Sequence, residues 1–461
     1  VTFATGADII TASAGTDNVR FGENAGNSIA SGAFNNVVIG KNAGTALTTG
    51  DSNIAIGTGA LMTEDAHANN VAIGQNALTL QNAGADAYNV GIGYHAGTAV
   101  TTGTANVLIG GLSGDAITTG GNNVAMGHTS LGSTTTGASN VAIGADALAA
   151  NTTASSNTAV GKSALAANTT GFENTAMGSA ALDANNTGSY NTAIGTQNMG
   201  ANTTGSQNAA FGGYALDANT TGSFNTAIGM HSLGANTTAS DNTAVGKEAM
   251  AANTTGQANT AIGSGALGAN TTASSNTAVG LNSLNANTTG AENTAVGRGS
   301  LDANTTGNNS VALGRDSLTD NTTGSNNTGL GDNALANNTT ASNNTAVGKN
   351  ALLVNTTGAQ QVAVGGSAME SNTTGYNNTA VGWESMKANT TGALNVAVGQ
   401  QAMLVNTTGY QNVSIGHNSS AANTEGFYNV AVGDNALAAN TTASGNTAVG
   451  YQAGALCTTG N

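Results

Sequence analysis

The stretch NTAVGKEAMAANTTGQA, residues 242–258, decides the fold, because the following residues repeat its pattern from NTAIG onward. The glycine that ends NTAVG recurs in 26 copies along the chain, from Gly22 to Gly450. The spacing is 17 residues, apart from one step of 18 and one of 19 within the first hundred residues. A unit this short cannot bury an apolar face alone, whereas stacked units can share a continuous core. The sequence therefore predicts an all-β fold, a parallel β-solenoid of about 26 coils of 17 residues.

Two columns of apolar or β-branched residues flank a residue that is small in most repeats. The position before the glycine, as at Val245, is apolar in all 26 copies, and the position three before it, as at Thr243, is nearly always Val, Ile or Thr. Side chains two residues apart point to the same side of a strand. We therefore expect these two columns to face the core, with Ala244 on the opposite side, where a second chain would cover it. A Leu or Met column four after the glycine, as at Met250, would complete the core of a coil of two strands and two turns.

Two asparagine columns frame the strand. One lies four residues before the glycine, where only Ser310 and Gln361 replace Asn; the other opens the NTTG or NTTA turn from Asn151 to Asn440, in 18 consecutive repeats. Asn tolerates left-handed backbone angles, and stacked amides can bond as a ladder. The N-T-T triplets also match N-glycosylation sequons. They would carry glycan in a secreted eukaryotic chain and would be turn residues in a bacterial or phage fibre.

Composition restricts the classes of partner and the domain organisation. The chain has 461 residues, no proline, 7% charged residues and a formal net charge of −15. A field of this sign repels phosphate backbones and anionic headgroups, so we expect no nucleic acid partner and no membrane insertion. The single cysteine, Cys457, excludes an intrachain disulfide framework. We expect residues 1–17 to be a lead-in, a cap or the start of the array, and residues 18–461 to be one continuous repeat array.

The sequence offers little for catalysis. The histidines are separated from one another by at least one full coil, and the G-G-x-G-x-D calcium repeat is absent. No nucleophile and base, or paired carboxylates, stand out in the repeat. We therefore expect no enzymatic activity, no cofactor and no metal site.

Large side chains vary in two columns, directly after the glycine and eleven or twelve residues after it, which predicts two exposed corners. The simplest interpretation is that exposed corners are unconstrained. The functional hypothesis is a sugar-stacking patch near the C-terminal end, formed by Tyr376, Trp383, Tyr410, Phe427 and Tyr428.

The pattern N-x-A-[VI]-G-x-x-[AS]-[LM], as in NNVAIGQNAL (69–78) and NTAVGKEAM (242–250), resembles the head repeat of trimeric autotransporter adhesins. It is also similar to the Asn-rich repeats of phage and viral tail fibre proteins. The resemblance implies a left-handed parallel β-roll, a homotrimer, and an extracellular location at a cell or virion surface. Adhesin heads have shorter repeats that lack the NTTG turn.

We therefore expect a structural and adhesive extracellular fibre, which acts as a rigid spacer and binds host surface glycans or a receptor. The alternative is an ice-binding β-solenoid that uses its Thr columns to order water. The inward orientation expected for Thr243 and its equivalents disfavours this alternative.

Overall fold

The computed structural model describes residues 14–458, and they divide into two compact units, one ending at Asn225 and the other beginning at Thr226. The part of the expected lead-in before residue 14 lies outside the described residues. Each unit is a stack of coils, and each coil contributes one strand of three residues. The strands of the first unit are β1 Val19–Phe21, β2 Val37–Ile39, β3 Ile54–Ile56, β4 Val71–Ile73, β5 Val90–Ile92, β6 Val107–Ile109, β7 Val124–Met126, β8 Val141–Ile143, β9 Thr158–Val160, β10 Thr175–Met177, β11 Thr192–Ile194 and β12 Ala209–Phe211.

The second unit has the same organisation. Its strands are β13 Thr226–Ile228, β14 Thr243–Val245, β15 Thr260–Ile262, β16 Thr277–Val279, β17 Thr294–Val296, β18 Val311–Leu313, β19 Thr328–Leu330, β20 Thr345–Val347, β21 Val362–Val364, β22 Thr379–Val381, β23 Val396–Val398, β24 Val413–Ile415, β25 Val430–Val432 and β26 Thr447–Val449. No helix among residues 14–458 is long and apolar enough to cross a membrane.

Within each unit, consecutive strands pair in parallel and in register. In the second unit, for example, Thr243 pairs with Thr260 and Val245 with Ile262. Equivalent residues of successive coils therefore form continuous columns along the sheet. The predicted parallel β-solenoid with 17-residue coils is confirmed.

The predicted orientation of the strand is wrong. The middle residue of the strand, Ala244, has no exposed surface, whereas its neighbours Thr243 and Val245 are half-buried. The same pattern, with a buried centre between two more exposed flanks, holds in every strand from β2 to β26. The interior of the coil is narrow, so the small side chain points inward and the β-branched side chains point outward.

The volume inside the coil explains this arrangement. The usual interior pair is an Ala of the strand and a Leu or Met four residues after the glycine, both without exposed surface, such as Ala261 and Leu267. In β6 the strand contributes Leu108 instead, and glycines replace the facing residues. A Cβ at Gly97 would lie 2.6 Å from Leu108 Cδ1, and one at Gly114 would lie 2.8 Å from Leu108 Cδ2. Interior volume is thus exchanged between the two columns, as close packing requires.

Each coil contains one strand and not the two that its length suggested. On the other side of the coil, Ala249 and Met250 are both fully buried although they are adjacent in sequence. Extended residues would alternate between faces, but Met250 is left-handed with φ of 49°. Its N–H donates to Ala266 O of the next coil at 3.0 Å. A left-handed Leu or Met at this position costs about 1–2 kcal/mol, which the burial of its side chain offsets.

The repeated glycine is required by both its backbone angle and its neighbour. Gly246 has φ of +136°, and a Cβ there would lie 2.5 Å from Gly263 O in the next coil. Any L-residue at this position would therefore be strained and would also push the coils apart. The invariance of this column follows from the stacking of the coils.

Both asparagine columns form ladders of hydrogen bonds, as predicted. In the first, Asn259 N–H donates to Asn242 Oδ1 at 3.0 Å. In the second, Asn270 Nδ2 donates to Asn253 Oδ1 at 2.8 Å and to Ala273 O of its own turn at 3.0 Å. At Ser310 the first ladder continues through a hydroxyl, because Asn327 N–H donates to Ser310 Oγ at 3.2 Å. The ladders satisfy polar groups that would otherwise be buried without partners.

Candidate binding surfaces

The outward side of the sheet is an apolar surface, which we call the strand face and define as the two columns that flank the buried central residue of each strand. One column, directly before the glycine, is apolar in every strand of both units. Among its members, Ile262 has 41% of its surface exposed and Leu313 has 48%. Monomeric proteins rarely expose contiguous apolar patches above a few hundred Å². The strand face is therefore a candidate surface for another protein.

The second column of the strand face carries Val or Thr in all strands except β3, which has Ile54, and β12, which has Ala209. It is Val or Ile in β1 to β8, and it is Thr in five consecutive strands from β13 to β17. Because these side chains point outward, the inward orientation that disfavoured the ice-binding hypothesis is wrong. Thr260, Thr277 and Thr294 are half-buried. They make no side-chain hydrogen bond within the described part of the chain, so their hydroxyls are available to water.

The predicted aromatic residues lie on exposed corners, but only three of the five contact one another. The rings of Tyr410 and Phe427 stack with centroids 4.9 Å apart and planes 7° apart. Tyr428 packs edge-on against both, at 5.7 Å from Tyr410 and 5.3 Å from Phe427. We call these three residues the aromatic cluster. It leaves 36–55% of each residue exposed.

The other two predicted residues lie apart from the aromatic cluster. Tyr376 is 50% exposed and occupies the same corner. The coil between Tyr376 and Tyr410 has Ala393 at this position, which separates their rings. Trp383 is 51% exposed at the other corner, directly after the glycine, where it covers Gly366. The five residues therefore do not form one continuous patch.

The corner after the glycine carries ion pairs between neighbouring coils. Arg315 Nε lies 2.8 Å from Asp332 Oδ1, and its guanidinium lowers the pKa of that carboxyl. Arg298 and Asp316 form a second pair at 3.2 Å. Pairs this exposed contribute little to stability, so they mark a solvated corner.

One turn departs from the repeat and brings three metal-ligating side chains together. Glu64, Asp65 and His67 stand where other coils have the Asn, first Thr and Gly of NTTG. Glu64 is fully buried, and its Oε1 accepts the backbone N–H of His67 at 3.2 Å and lies 3.1 Å from His67 Nδ1. Burial raises the pKa of the Glu64 carboxyl, and its hydrogen bonds with His67 oppose part of this rise. This cluster was missed from the sequence, because the histidines were compared only with one another. The signal that could have identified it is the replacement of the usual NTTG residues at positions 64–67.

Comparison with known protein families and with curated proteins finds no match for this chain. The strand face, the corners and the turn at residues 64–67 are therefore the features of the molecule that bear on its function.

Proposed function

We propose that this chain forms a homotrimeric extracellular fibre, displayed on a cell or virion, that acts as a spacer and adheres to surface glycans. The observation that carries the proposal is the strand face, with its half-exposed Val and Ile side chains in coil after coil. Covering this surface removes apolar area from water, which stabilises an assembly by roughly 25 cal/mol for each Å² buried. The expected partner surface was the small-residue column, and the strand face now takes that role because Ala244 and its equivalents point inward.

A second copy of the same chain is the partner that fits this surface best. The columns repeat once per coil, and side chains of a partner can interdigitate along the whole face only if that partner has the same spacing. An identical chain has this spacing by construction. Three chains around a common axis would bury all three strand faces together, as the resemblance to adhesin heads implies.

Native mass spectrometry and analytical ultracentrifugation at micromolar concentration test the assembly. We expect a mass of about three times 44.3 kDa. Ile262→Asp would place a charge in each strand face and should dissociate the trimer while each chain keeps its β-sheet circular dichroism. Leu281→Asp is the matched control, because Leu281 is 51% exposed but lies at the corner after the glycine. A monomeric wild type would refute the homotrimer, and equal dissociation by both variants would refute the strand face as its interface.

The aromatic cluster supports the adhesive part of the proposal. Stacking on exposed aromatic rings is a common way to hold sugars. The face of the aromatic ring is apolar, and a tyrosine hydroxyl can hydrogen-bond to the sugar. Tyr410 and Phe427 each retain a face beside a small residue, Ala393 in the preceding coil and Ser444 in the following coil. A sugar ring could approach from either end of the stacked pair.

Ice binding is the second candidate function, and the outward Thr side chains of β13 to β17 favour it. Their hydroxyls lie one strand spacing apart, about 4.8 Å, and a regular hydroxyl array can order water. The strand face disfavours it elsewhere, since β1 to β8 present Val or Ile in the same column. Thermal hysteresis measured on the purified protein separates the two functions: a clear gap between melting and freezing points would favour ice binding over the fibre.

A further inference from the structure

The turn at residues 64–67 differs from the other turns in chemistry as well as in sequence. In the standard turn, the Asn side chain donates to the carbonyl three residues later, as Asn253 Nδ2 does to Gly256 O at 3.0 Å. An ionised Glu can only accept hydrogen bonds. Glu64 does not make the bond of the Asn, and its Oε1 accepts the backbone N–H of His67 instead.

The three side chains are close enough to share one ion. His67 Nδ1 lies 3.1 Å from Glu64 Oε1 and 3.9 Å from Asp65 Oδ1, and the three groups offer ligand atoms that all lie within 4.8 Å of one another. With metal bonds of about 2.0–2.2 Å, two ligands of a tetrahedral zinc ion are roughly 3.3–3.6 Å apart. The two measured distances bracket this separation.

An independent observation also points to a ligand at this turn. The second carboxylate oxygen, Glu64 Oε2, is buried and has no hydrogen-bond partner, although the whole residue is excluded from solvent. A buried acceptor without a partner is costly, and a cation held by this carboxylate would remove that cost. The His67 and Asp65 side chains are 22% and 50% exposed, so an ion can reach the site and keep a water ligand.

Hydrogen bonds to its backbone carbonyls hold this turn in place. Thr48 N–H and Thr48 Oγ1 donate to Asp65 O at 2.6 and 2.9 Å, and Asn53 Nδ2 donates to His67 O at 2.9 Å. The Thr48 bonds come from the preceding coil, and the Asn53 bond comes from the start of the same coil. The ligand groups are therefore carried by a fixed turn, as metal sites require.

We propose that Glu64, Asp65 and His67 bind a divalent transition metal ion, with zinc as the best fit. One imidazole and two carboxylates suit zinc and its neighbours, whereas calcium and magnesium prefer six or more oxygen ligands. Three protein ligands leave a fourth position for water or for a donor group of a bound molecule. This site is independent of the proposed fibre, because it depends only on one turn of a single chain.

Isothermal titration of the full chain with zinc chloride tests the site. All proteins should carry Cys457→Ser, because Cys457 is a free, exposed cysteine and a thiolate is a good zinc ligand. We expect one zinc ion per chain, and cobalt should give the visible absorption of a tetrahedral or five-coordinate ion. Glu64→Gln and His67→Gln should each weaken zinc binding at least about tenfold. Glu64→Gln should fold normally, because glutamine has nearly the same size and shape as glutamate and keeps one acceptor oxygen for the His67 backbone N–H.

His417→Gln is the matched control. His417 Nδ1 lies 3.1 Å from Asp434 Oδ1, which repeats the His–carboxylate pair without a buried third ligand. The control should leave stoichiometry and affinity unchanged. Absence of zinc binding, binding that survives both Glu64→Gln and His67→Gln, or tighter binding of calcium than of zinc would each overturn the proposal.

Discussion

The exchange of volume inside the coil can be tested with a double substitution in β6. Leu108→Ala would leave a cavity, because the facing residues Gly97 and Gly114 have no side chains to fill it. Gly114→Leu alone would collide with Leu108, whose Cδ2 would lie 2.8 Å from the new Cβ. The two changes together restore the Ala and Leu pair that most coils contain, and Ile117, whose Cδ1 would lie 2.9 Å from the new Cβ, has to turn its end into the space that Leu108 leaves. Leucine at this position is already accepted with a left-handed backbone, as at Leu267, and Gly114 has φ of +57°.

The structure sets the size of each effect. Leu108→Ala should reduce the free energy of local unfolding by about 3–5 kcal/mol, since transfer and cavity terms add. Gly114→Leu should cost about 1–3 kcal/mol through overpacking. Independent effects would sum to at least about 4 kcal/mol. Because the substitutions compensate each other, we expect the double variant to lose less than about 2 kcal/mol.

Native-state hydrogen exchange with mass spectrometry is the appropriate assay, because each coil contacts only its neighbours and global unfolding is not the relevant transition. Peptides covering residues 107–124 would report the local opening free energy. Val107→Thr is the control, since this residue lies on the strand face and Thr occupies the same column elsewhere; it should change stability by less than about 0.5 kcal/mol. If the effects of Leu108→Ala and Gly114→Leu simply add, the two side chains do not share the interior and the assignment of inward and outward faces is wrong.

Three further outcomes follow from the contacts of single residues. Asn253→Ala removes three side-chain hydrogen bonds from a buried ladder and should cost about 3 kcal/mol or more in local exchange, whereas the exposed Thr255→Ala should cost less than about 0.5 kcal/mol; equal effects would contradict the ladder. Gly246→Ala should lose at least about 3 kcal/mol of local stability, because backbone strain and a clash with the next coil add, and unchanged hydrogen exchange around residues 243–263 would contradict the stacking. Phe427→Ala should lower retention on immobilised surface polysaccharide about tenfold, while Tyr376→Ala, outside the aromatic cluster, should change it little; unchanged retention in both would remove the aromatic cluster from adhesion.

The repeat was sufficient to predict the solenoid, because units of the same sequence pattern adopt the same local structure and stack on one another. The glycine column, the Asn columns and the Leu or Met column all have the environment that their residue types indicated: the tight corner, the ladder and the core. These positions respond to contacts with the same residue in the next coil, so sequence periodicity reports them directly. The exposed corners were also identified, since large and charged residues are tolerated there.

The direction of the strand could not be read from apolar character alone. Val245 is more apolar than Ala244, and the usual rule places the larger apolar side chain in the core. The coil is too narrow for that rule, and Met250 already fills the interior from the other side. The coincidence of Leu108 with Gly97 and Gly114 is a signal that could have revealed the exchange from sequence.

The single strand per coil was missed for a related reason. A buried pair of neighbours such as Ala249 and Met250 reads as part of an apolar strand unless the left-handed angle of Met250 is known. Left-handed Leu and Met are uncommon, so no propensity argument predicts a column of them. The turn at residues 64–67 was missed because its histidine was compared with other histidines and not with the turn residues it replaces.

The in-register pairing of the strands has a consequence for how such a chain can change in length. Because every coil presents the same columns above and below, removing or inserting a whole 17-residue unit between two standard coils rejoins surfaces that already fit. Recombination between neighbouring repeats in the gene would therefore yield folded products in steps of one coil, whereas a shift of one or two residues inside the strand would misalign both ladders at once. The two longer steps in the array, of 18 and 19 residues, lie between strands β1 and β2 and between β4 and β5, outside the paired residues. Length in this architecture can thus vary in discrete increments while the structure of each coil stays the same.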